Sequence, residues 1–311
     1  MNSTKDLFPL HEDHNRRKFI FNLSRAAAAT AFLTMPLAGN TASFFNVVED
    51  VTVGQIIDKF IAGIPGAPFP STVDTLKSGS RDIKVTGIIT TMFATIDVIK
   101  QAIALNANFI IAHEPTFYNH ADETNWLANN DVYLYKAQLL KEHNIAVWRN
   151  HDYIHSLKPD GVGAGLLKQL NWGPYYRPEL GNVLMLPPTT LSLLIEYLKT
   201  KLSISMVRYI GNPAQSCQKV LFLPGAAGGR RHISETGRIK PDVLIVGEIQ
   251  EWETAEYVRD AQAKGNNLSL IVLGHIASEE PGSEFMAGWL KEHFPAIKSV
   301  HIPSGNSLSF A

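Results

Sequence analysis

Phe109-Ile110-Ile111-Ala112-His113-Glu114 is the stretch on which the reading of this chain turns. Four apolar residues run without alternation into a histidine and an acid. A continuous apolar run this short, bounded by polar residues, reads as a strand buried on both faces, as in sheets covered by helices. The pattern recurs three times: Ile145 to Trp148 leads to His151, Asp152 and His155, Val243 to Val246 to Gly247-Glu248, and Leu268 to Leu273 to His275 and Glu279. Val85 to Thr90 and Val220 to Leu223 read as further strands. Helices are expected over Gln55 to Ala62, Ile96 to Leu105 behind Thr95 as N-cap, Asp131 to Glu142, Gly163 to Gln169, Leu191 to Leu202, Thr254 to Ala263 and Ser283 to His293. Ile64 to Ser80, interrupted by Pro65, Pro68 and Pro70, reads as loop. Strands alternating with helices give an α/β fold with mixed, mostly buried sheets.

The composition bounds the function. The chain has 311 residues, 45% of them hydrophobic, and a formal net charge of −1. Disorder, a collagen-like repeat and a cationic nucleic-acid binder each need a more biased composition. The single cysteine, Cys217, allows neither an intrachain disulfide nor a thiolate cluster, so a metal here must take histidine and carboxylate ligands. A loose echo of helix, Asn-rich turn, apolar strand and His joins Ala102 to His113 with Ala261 to His275. It suggests two similar α/β lobes, roughly 44–175 and 176–311, facing each other across one site.

Residues 1–43 read as an address. Asn15-Arg16-Arg17-Lys18-Phe19-Ile20, an apolar run from Ala26 to Leu37 and a small-residue tail to Ser43 resemble a twin-arginine export signal. The run is shorter than the about 20 residues of a spanning helix, so the expectation is a cleaved signal, no permanent membrane anchor, and a periplasmic or extracellular protein.

In open α/β sheets, functional groups gather beyond the carboxyl ends of the strands. Four of the nine histidines after residue 43 fall at such ends: His113, His151, His155 and His275. His151 with His155, and His275 with Glu279, are spaced i, i+4, which puts both members on one face of a helical turn. Imidazole nitrogen and carboxylate oxygen suit Zn, Mn, Fe or Ni, and several such groups together can hold two ions about 3.5–4 Å apart with a shared hydroxide as nucleophile. Asp152 is a further candidate ligand, or a polar loop residue capping a turn. Glu248 is a general base, a residue orienting a metal-bound histidine, or an acid at a helix start. Tyr118, Asn119, His120 and Asp122 follow the first motif and are placed to touch a substrate. Gly225-Ala226-Ala227-Gly228-Gly229-Arg230-Arg231 reads as a tight glycine turn; it lacks the Lys-Ser/Thr of a P-loop, and leaves Arg230 and Arg231 as weak phosphate candidates. No serine has a Gly-x-Ser-x-Gly setting.

Ile110-Ile111-Ala112-His113-Glu114-Pro115-Thr116-Phe117-Tyr118, His151-Asp152-Tyr153-Ile154-His155, Gly247-Glu248 and Gly274-His275-Ile276-Ala277-Ser278-Glu279 resemble, in order, the signatures of the NGG-interacting factor 3-like family. Its members are also known as GTP cyclohydrolase I type 2 homologues or dinuclear metal centre proteins. The resemblance runs from about Val73 to Phe310, and the quartet His113-Glu114-Pro115-Thr116 is similar to that of a variant subgroup. It implies two similar lobes, a two-metal centre between them and toroidal hexamers. The family's usual His-His pair falls on His113 and Glu114, its His-x-x-x-Asp element on His151 and His155, and its C-terminal His and Glu on His275 and Glu279, with Glu279 bridging the metals. Two exchanges stand out: a carboxylate replaces the second histidine at Glu114, and a histidine replaces the aspartate at His155. Val73-Asp74-Thr75-Leu76-Lys77 keeps little of the family's early Asn-x-Gly-Leu-Gln segment, and Phe93 stands where an Asp is usual.

These readings converge on a metal-dependent hydrolase of cyclohydrolase or amidohydrolase type acting on a small-molecule substrate. Two divalent ions (Zn, Mn or Fe) on His113, Glu114, His155, His275 and Glu279 would activate a bridging hydroxide, with Glu248 and His120 in acid/base roles. The alternatives are a non-catalytic hexameric metal-binding scaffold and a metal-dependent phosphodiesterase using Arg230 and Arg231. Nucleic acid is not an expected partner.

Overall fold

A computed structural model describes residues 50–309. The expected export signal lies outside the described residues. Within them, no helix is long and apolar enough to cross a membrane.

The first sheet has the order β1-β4-β3-β2-β11. It comprises β1 (Leu76–Ser78), β2 (Ile88–Thr91), β3 (Phe109–Ala112), β4 (Ala146–Arg149) and β11 (Ser299–His301). β2, β3, β4 and β11 are parallel, and β1 closes the edge antiparallel to β4. Every residue of β2, β3 and β4 is buried, and apart from Thr90, Thr91 and Arg149 all of them are apolar, which is why these strands read as short apolar runs. On one face pack α1 (Val53–Ile61), α5 (Gly161–Gln169) and α9 (His275–His293), with Phe60 edge-on to Trp148 and Trp289. On the other lie α2 (Ile96–Ala104) and α3 (Asp131–Glu142).

The second sheet has the order β5-β6-β8-β9-β10-β7. Its parallel centre is β8 (Ser216–Leu223), β9 (Val243–Val246) and β10 (Ser269–Val272). β6 (Val183–Thr190) and β5 (Tyr176–Arg177) add antiparallel on one side, β7 (Arg208–Ile210) on the other. α6 (Leu191–Leu202), α7 (Gly229–Ile239) and α8 (Glu256–Ala263) complete this half, and a short α4 (Asp152–Ser156) follows β4. The described residues thus form a mixed α/β fold with two sheets, one around four parallel strands and the other around three. The division at 175/176 separates the sheets except at the end of the chain, where β11 pairs with β2 and α9 packs against α5.

Helix starts follow local chemistry. Thr52 and Gln55 form a reciprocal capping box at α1, and Thr95, Asn130, Asp160 and Thr190 accept backbone N–H groups at α2, α3, α5 and α6. Several boundaries differ from expectation. The loop assigned to Ile64–Ser80 contains β1, and α9 begins at His275, eight residues before Ser283, running on through Pro281. The expected helix at Thr254 is entered through one π-helical turn, Glu251–Ala255.

The registers matter most for function. Thr91, Ala112 and Arg149 are in line, as are Leu223, Val246 and Val272. All the strand-end motifs therefore emerge at the carboxyl edges of the two parallel cores.

Candidate metal centre

The segment after β3 keeps to the ladder for two residues: His113 and Glu114 donate their N–H groups to the carbonyls of Thr91 and Met92. After β4, Asn150 N–H bonds to Ala112 O, and the turn into α4 is held by buried Asp74, whose two oxygens accept from His151 N and Tyr153 N. In the second sheet Gly225 N–H donates to Ser278 Oγ and Glu248 N–H to Gly225 O, so the turns after β8 and β9 are stitched to α9. Gly225 has φ +65°, and a Cβ there would lie 2.1 Å from Glu279 Oε1, so this turn needs glycine.

Four imidazoles meet here, and each has its Nδ1 held by an oxygen. His113 Nδ1 is 3.2 Å from Asn150 O, His151 Nδ1 3.0 Å from Asp152 Oδ1, His155 Nδ1 2.9 Å from Asp160 Oδ2, and His275 Nδ1 3.2 Å from Glu248 Oε2. These oxygens accept, so Nδ1 carries a proton in each ring; that leaves Nε2 as the ligand nitrogen of His113, His151 and His155, whereas His275, with Nε2 against Glu114 and Glu279, is protonated on both nitrogens. Orienting a ligand histidine through its other nitrogen is how metal sites fix the ring. The rings of His113, His151 and His155 lie within 4.9–5.1 Å of one another.

Two overlapping triples could hold an ion, each with its ligand atoms within 4.8 Å of one another: His113, His151 and His155, and His113, Glu114 and Glu279. His113 belongs to both. Its Nε2 is buried without a hydrogen-bond partner, 3.3 Å from Glu279 Oε2. His275 is in neither triple but borders the second, with Nε2 3.0 Å from Glu279 Oε2 and 3.2 Å from Glu114 Oε1. Burial disfavours a charge on His275, yet hydrogen bonds to Glu114, Glu248 and Glu279 outweigh it and push its pKa up to about 12. Burial likewise works against the Glu279 carboxylate, but His113 and His275 hold it well below the usual range. Three carboxylates gathered on one imidazolium mark a place built for positive charge, and a buried, unpartnered imidazole nitrogen beside them supplies the matching donor. The residues present fit a divalent metal.

The remaining candidates fall around this cluster. Asp152 is spent on its surroundings: beyond His151 it accepts from Thr72 Oγ1 and Val73 N, so it orients His151. Glu248 is 54% exposed and orients His275. His120 sits on an exposed loop with its ring 5.9 Å from that of His151. Phe93, in place of the family's Asp, packs its ring edge-on 6.3 Å from His275. Arg230 and Arg231 are exposed on the first turn of α7, where Glu253 already packs against Gly229.

Sequence reasoning missed three groups that hold the centre. Arg149, with no exposed surface, places Nη2 3.1 Å from Glu114 Oε2 and Nη1 3.6 Å from Asp122 Oδ2, and donates to the carbonyls of His113 and His120. The signal was a lone charge ending an apolar strand. Asp160, which both caps α5 and holds His155, draws no reading from the sequence, and Asp74 appears only within the segment 73–77 that keeps little of the family's pattern.

The match to known proteins agrees with this architecture. The family model described as Duf34/NIF3 (NGG1p interacting factor 3) covers residues 75–306. The chain belongs to this family. A Chlamydia pneumoniae relative called "GTP cyclohydrolase 1 type 2 homolog" is 26% identical, over 74% of this chain and 89% of its own length. A Pyrococcus horikoshii relative of the same name is 28% identical, over 69% and 83%. Among solved structures, a Bacillus cereus protein related to NIF3 superposes with a TM-score of 0.67 at 15% identity, covering 85% of this chain and 99% of that one. A Staphylococcus aureus hypothetical protein gives 0.66 at 19%, with the same coverage. At these identities the structures establish the Duf34/NIF3 fold, while the site geometry rests on the residues described above.

Proposed function

We propose that the protein is a metal-dependent hydrolase of cyclohydrolase or amidohydrolase type, with two divalent ions held by His113, Glu114, His155, His275 and Glu279, and with His151 as a further ligand. The observation that carries the reading is the set of four imidazoles, each with Nδ1 bound to an oxygen, of which His113, His151 and His275 turn Nε2 to within 3.8 Å of Glu114 or Glu279. Such an ion supplies Lewis acidity at a substrate carbonyl or amidine and a water made nucleophilic near neutral pH. The protein's own groups do the rest. Arg149 takes one oxygen of Glu114, leaving Oε1 to face the centre. Asp152 and Asp160 keep His151 and His155 in the tautomer that offers Nε2 inward. Glu248 accepts from His275 Nδ1 and stands half in solvent, so a proton received there passes to bulk water. On this reading His120, exposed with its ring 5.9 Å from that of His151, would protonate a leaving nitrogen.

The test is a screen of lactams, cyclic amidines and simple amides with metal-loaded protein, beside Glu248→Gln. Turnover that falls at least 100-fold in Glu248→Gln with metal content unchanged supports the reading. Full metal loading with no turnover on any class instead favours a non-catalytic metal-binding scaffold. We further propose export by the twin-arginine route and assembly as a hexamer, the latter supported by Trp126, Val132, Leu134 and Tyr135 standing exposed near one another in sequence. Loss of export in Arg16→Lys/Arg17→Lys and sedimentation at six chain masses check these two points.

A further inference from the structure

Next to the metal centre lies a cleft that its chemistry does not use. It runs between α5 and the face of the second sheet, has a volume of about 90 Å³, and is lined mainly by apolar side chains, among them Val162, Leu166, Leu167, Leu184 and Phe222. Its two ends on the chain are shared with the centre. His155, its ring 5.1 Å from that of His113, forms part of its wall, and Pro224 precedes Gly225, the residue pressed against Glu279.

α5 is seated tightly on α9: a Cβ at Gly165 would lie 2.2 Å from Pro281 O. Gly163 meets no such neighbour: a Cβ there would come no closer than 3.8 Å to any side chain, and Gly163 lines the cleft with Ala164. Glycine within a helix is disfavoured relative to alanine, and no packing contact accounts for it here.

We propose that this cleft is the subsite for an aliphatic arm of the substrate, a branched group of three or four carbons whose hydrolysable amide or amidine is thereby presented to the His113/His155/Glu279 cluster. The size follows from the volume. An enclosed apolar cavity of about 150 Å³ takes a benzene ring, so this smaller cleft suits a branched aliphatic group better than an aromatic ring. The substrate class rests on the hydrolase reading above; the cleft's preference does not.

The probe is 3-methylbutanamide against acetamide, titrated into full-length protein with ¹³C-labelled leucine and valine methyls, once as purified and once after chelator treatment. Each buried carbon is worth about fourfold in affinity, so 3-methylbutanamide should bind at least tenfold more tightly than acetamide and shift the methyls of Leu166, Leu167 and Leu184 in both samples. Ala164→Leu should abolish those shifts with metal content unchanged. Should that variant fail to fold, Leu167→Ala, at a partly exposed wall position, should admit phenylacetamide, which the wild type rejects. Equal affinity for the two amides, or shifts confined to other methyls, overturns the subsite. Because the chelated sample reads the cleft alone, absence of metal counts only against the hydrolase reading.

Discussion

Replacing Arg149 by methionine removes a guanidinium with no exposed surface and leaves Glu114 without the partner at 3.1 Å that faces away from the centre. Two unit charges about 3 Å apart attract by roughly 5 kcal/mol at an effective dielectric constant of about 20. Much of that offsets desolvation, but deleting one member strands the other, and buried pairs broken in this way cost about 3–5 kcal/mol. Asp122 keeps Lys77 at 3.3 Å and Glu114 keeps His275 at 3.2 Å, so the lower part of the range applies. Arg149→Met in chelator-treated protein should therefore lose about 3 kcal/mol in urea unfolding. Adding Glu114→Gln should return at least about 1 kcal/mol, because the stranded charge is gone. Metal uptake by the single variant should fall at least tenfold, since Glu114 is no longer aimed. A loss under about 1 kcal/mol, no recovery in the double variant and unchanged metal uptake would together refute the assignment of Arg149 as the residue that positions Glu114.

Asp160→Asn keeps an N-cap for α5 but weakens the acceptor for His155 Nδ1, so metal affinity should drop about 10- to 100-fold with stability changed by less than about 1 kcal/mol, read by competition titration and thermal unfolding. Gly225→Ala forces a methyl into the Glu279 carboxylate at a positive φ and should cost at least about 1 kcal/mol together with metal binding; an unchanged Tm and metal content would remove the close-approach argument. His232 is buried, its Nδ1 2.9 Å from Thr254 Oγ1, and burial, with the Arg231 charge, lowers its pKa to about 4. Below the unfolded value of about 6.5 the unfolded chain takes a proton that the folded one refuses, so stability falls as pH drops from 6.5 to 4, by about 3 kcal/mol in all. In His232→Gln that share of the acid slope should vanish when unfolding free energies are compared across this range.

Much of the fold was legible because burial leaves a mark in sequence. Phe109–Ala112 and Val243–Val246 are strands over the expected residues, since a strand covered on both faces favours apolar side chains throughout. Asp131–Glu142 and Leu191–Leu202 are helices over theirs, with Asn130 and Thr190 as side-chain caps. What escaped is where local rules lost to tertiary contacts. β6 contains Pro187 and Pro188, which argue against a strand, and its pairing with β8 slips between Met185 and Thr189 around them. α7 is polar and starts in a glycine turn, so its sequence gave no apolar stripe to read. For α9 the sequence points to a start only at Ser283, but the helix is already formed from His275, runs through Pro281, and carries both His275 and Glu279 on successive turns.

The centre shows the same division. His113, His151, His155, His275, Glu114 and Glu279 announced themselves by standing at strand ends, and the structure brings all six together. Their outer partners, Arg149, Asp160, Asp74 and the carbonyl of Asn150, did not, because a residue that acts by orienting another has no spacing rule of its own. Asp160 is found from its bond to His155, five residues away, only once the turn between them is known.

The most direct test is the number of metal ions per chain, measured by mass spectrometry on full-length protein purified without a chelating tag, beside a folded His113→Ala variant. His113 belongs to both triples, so the account predicts about two equivalents in the wild type and none in the variant. Near-zero metal in the wild type, or the same content in both proteins, would contradict it.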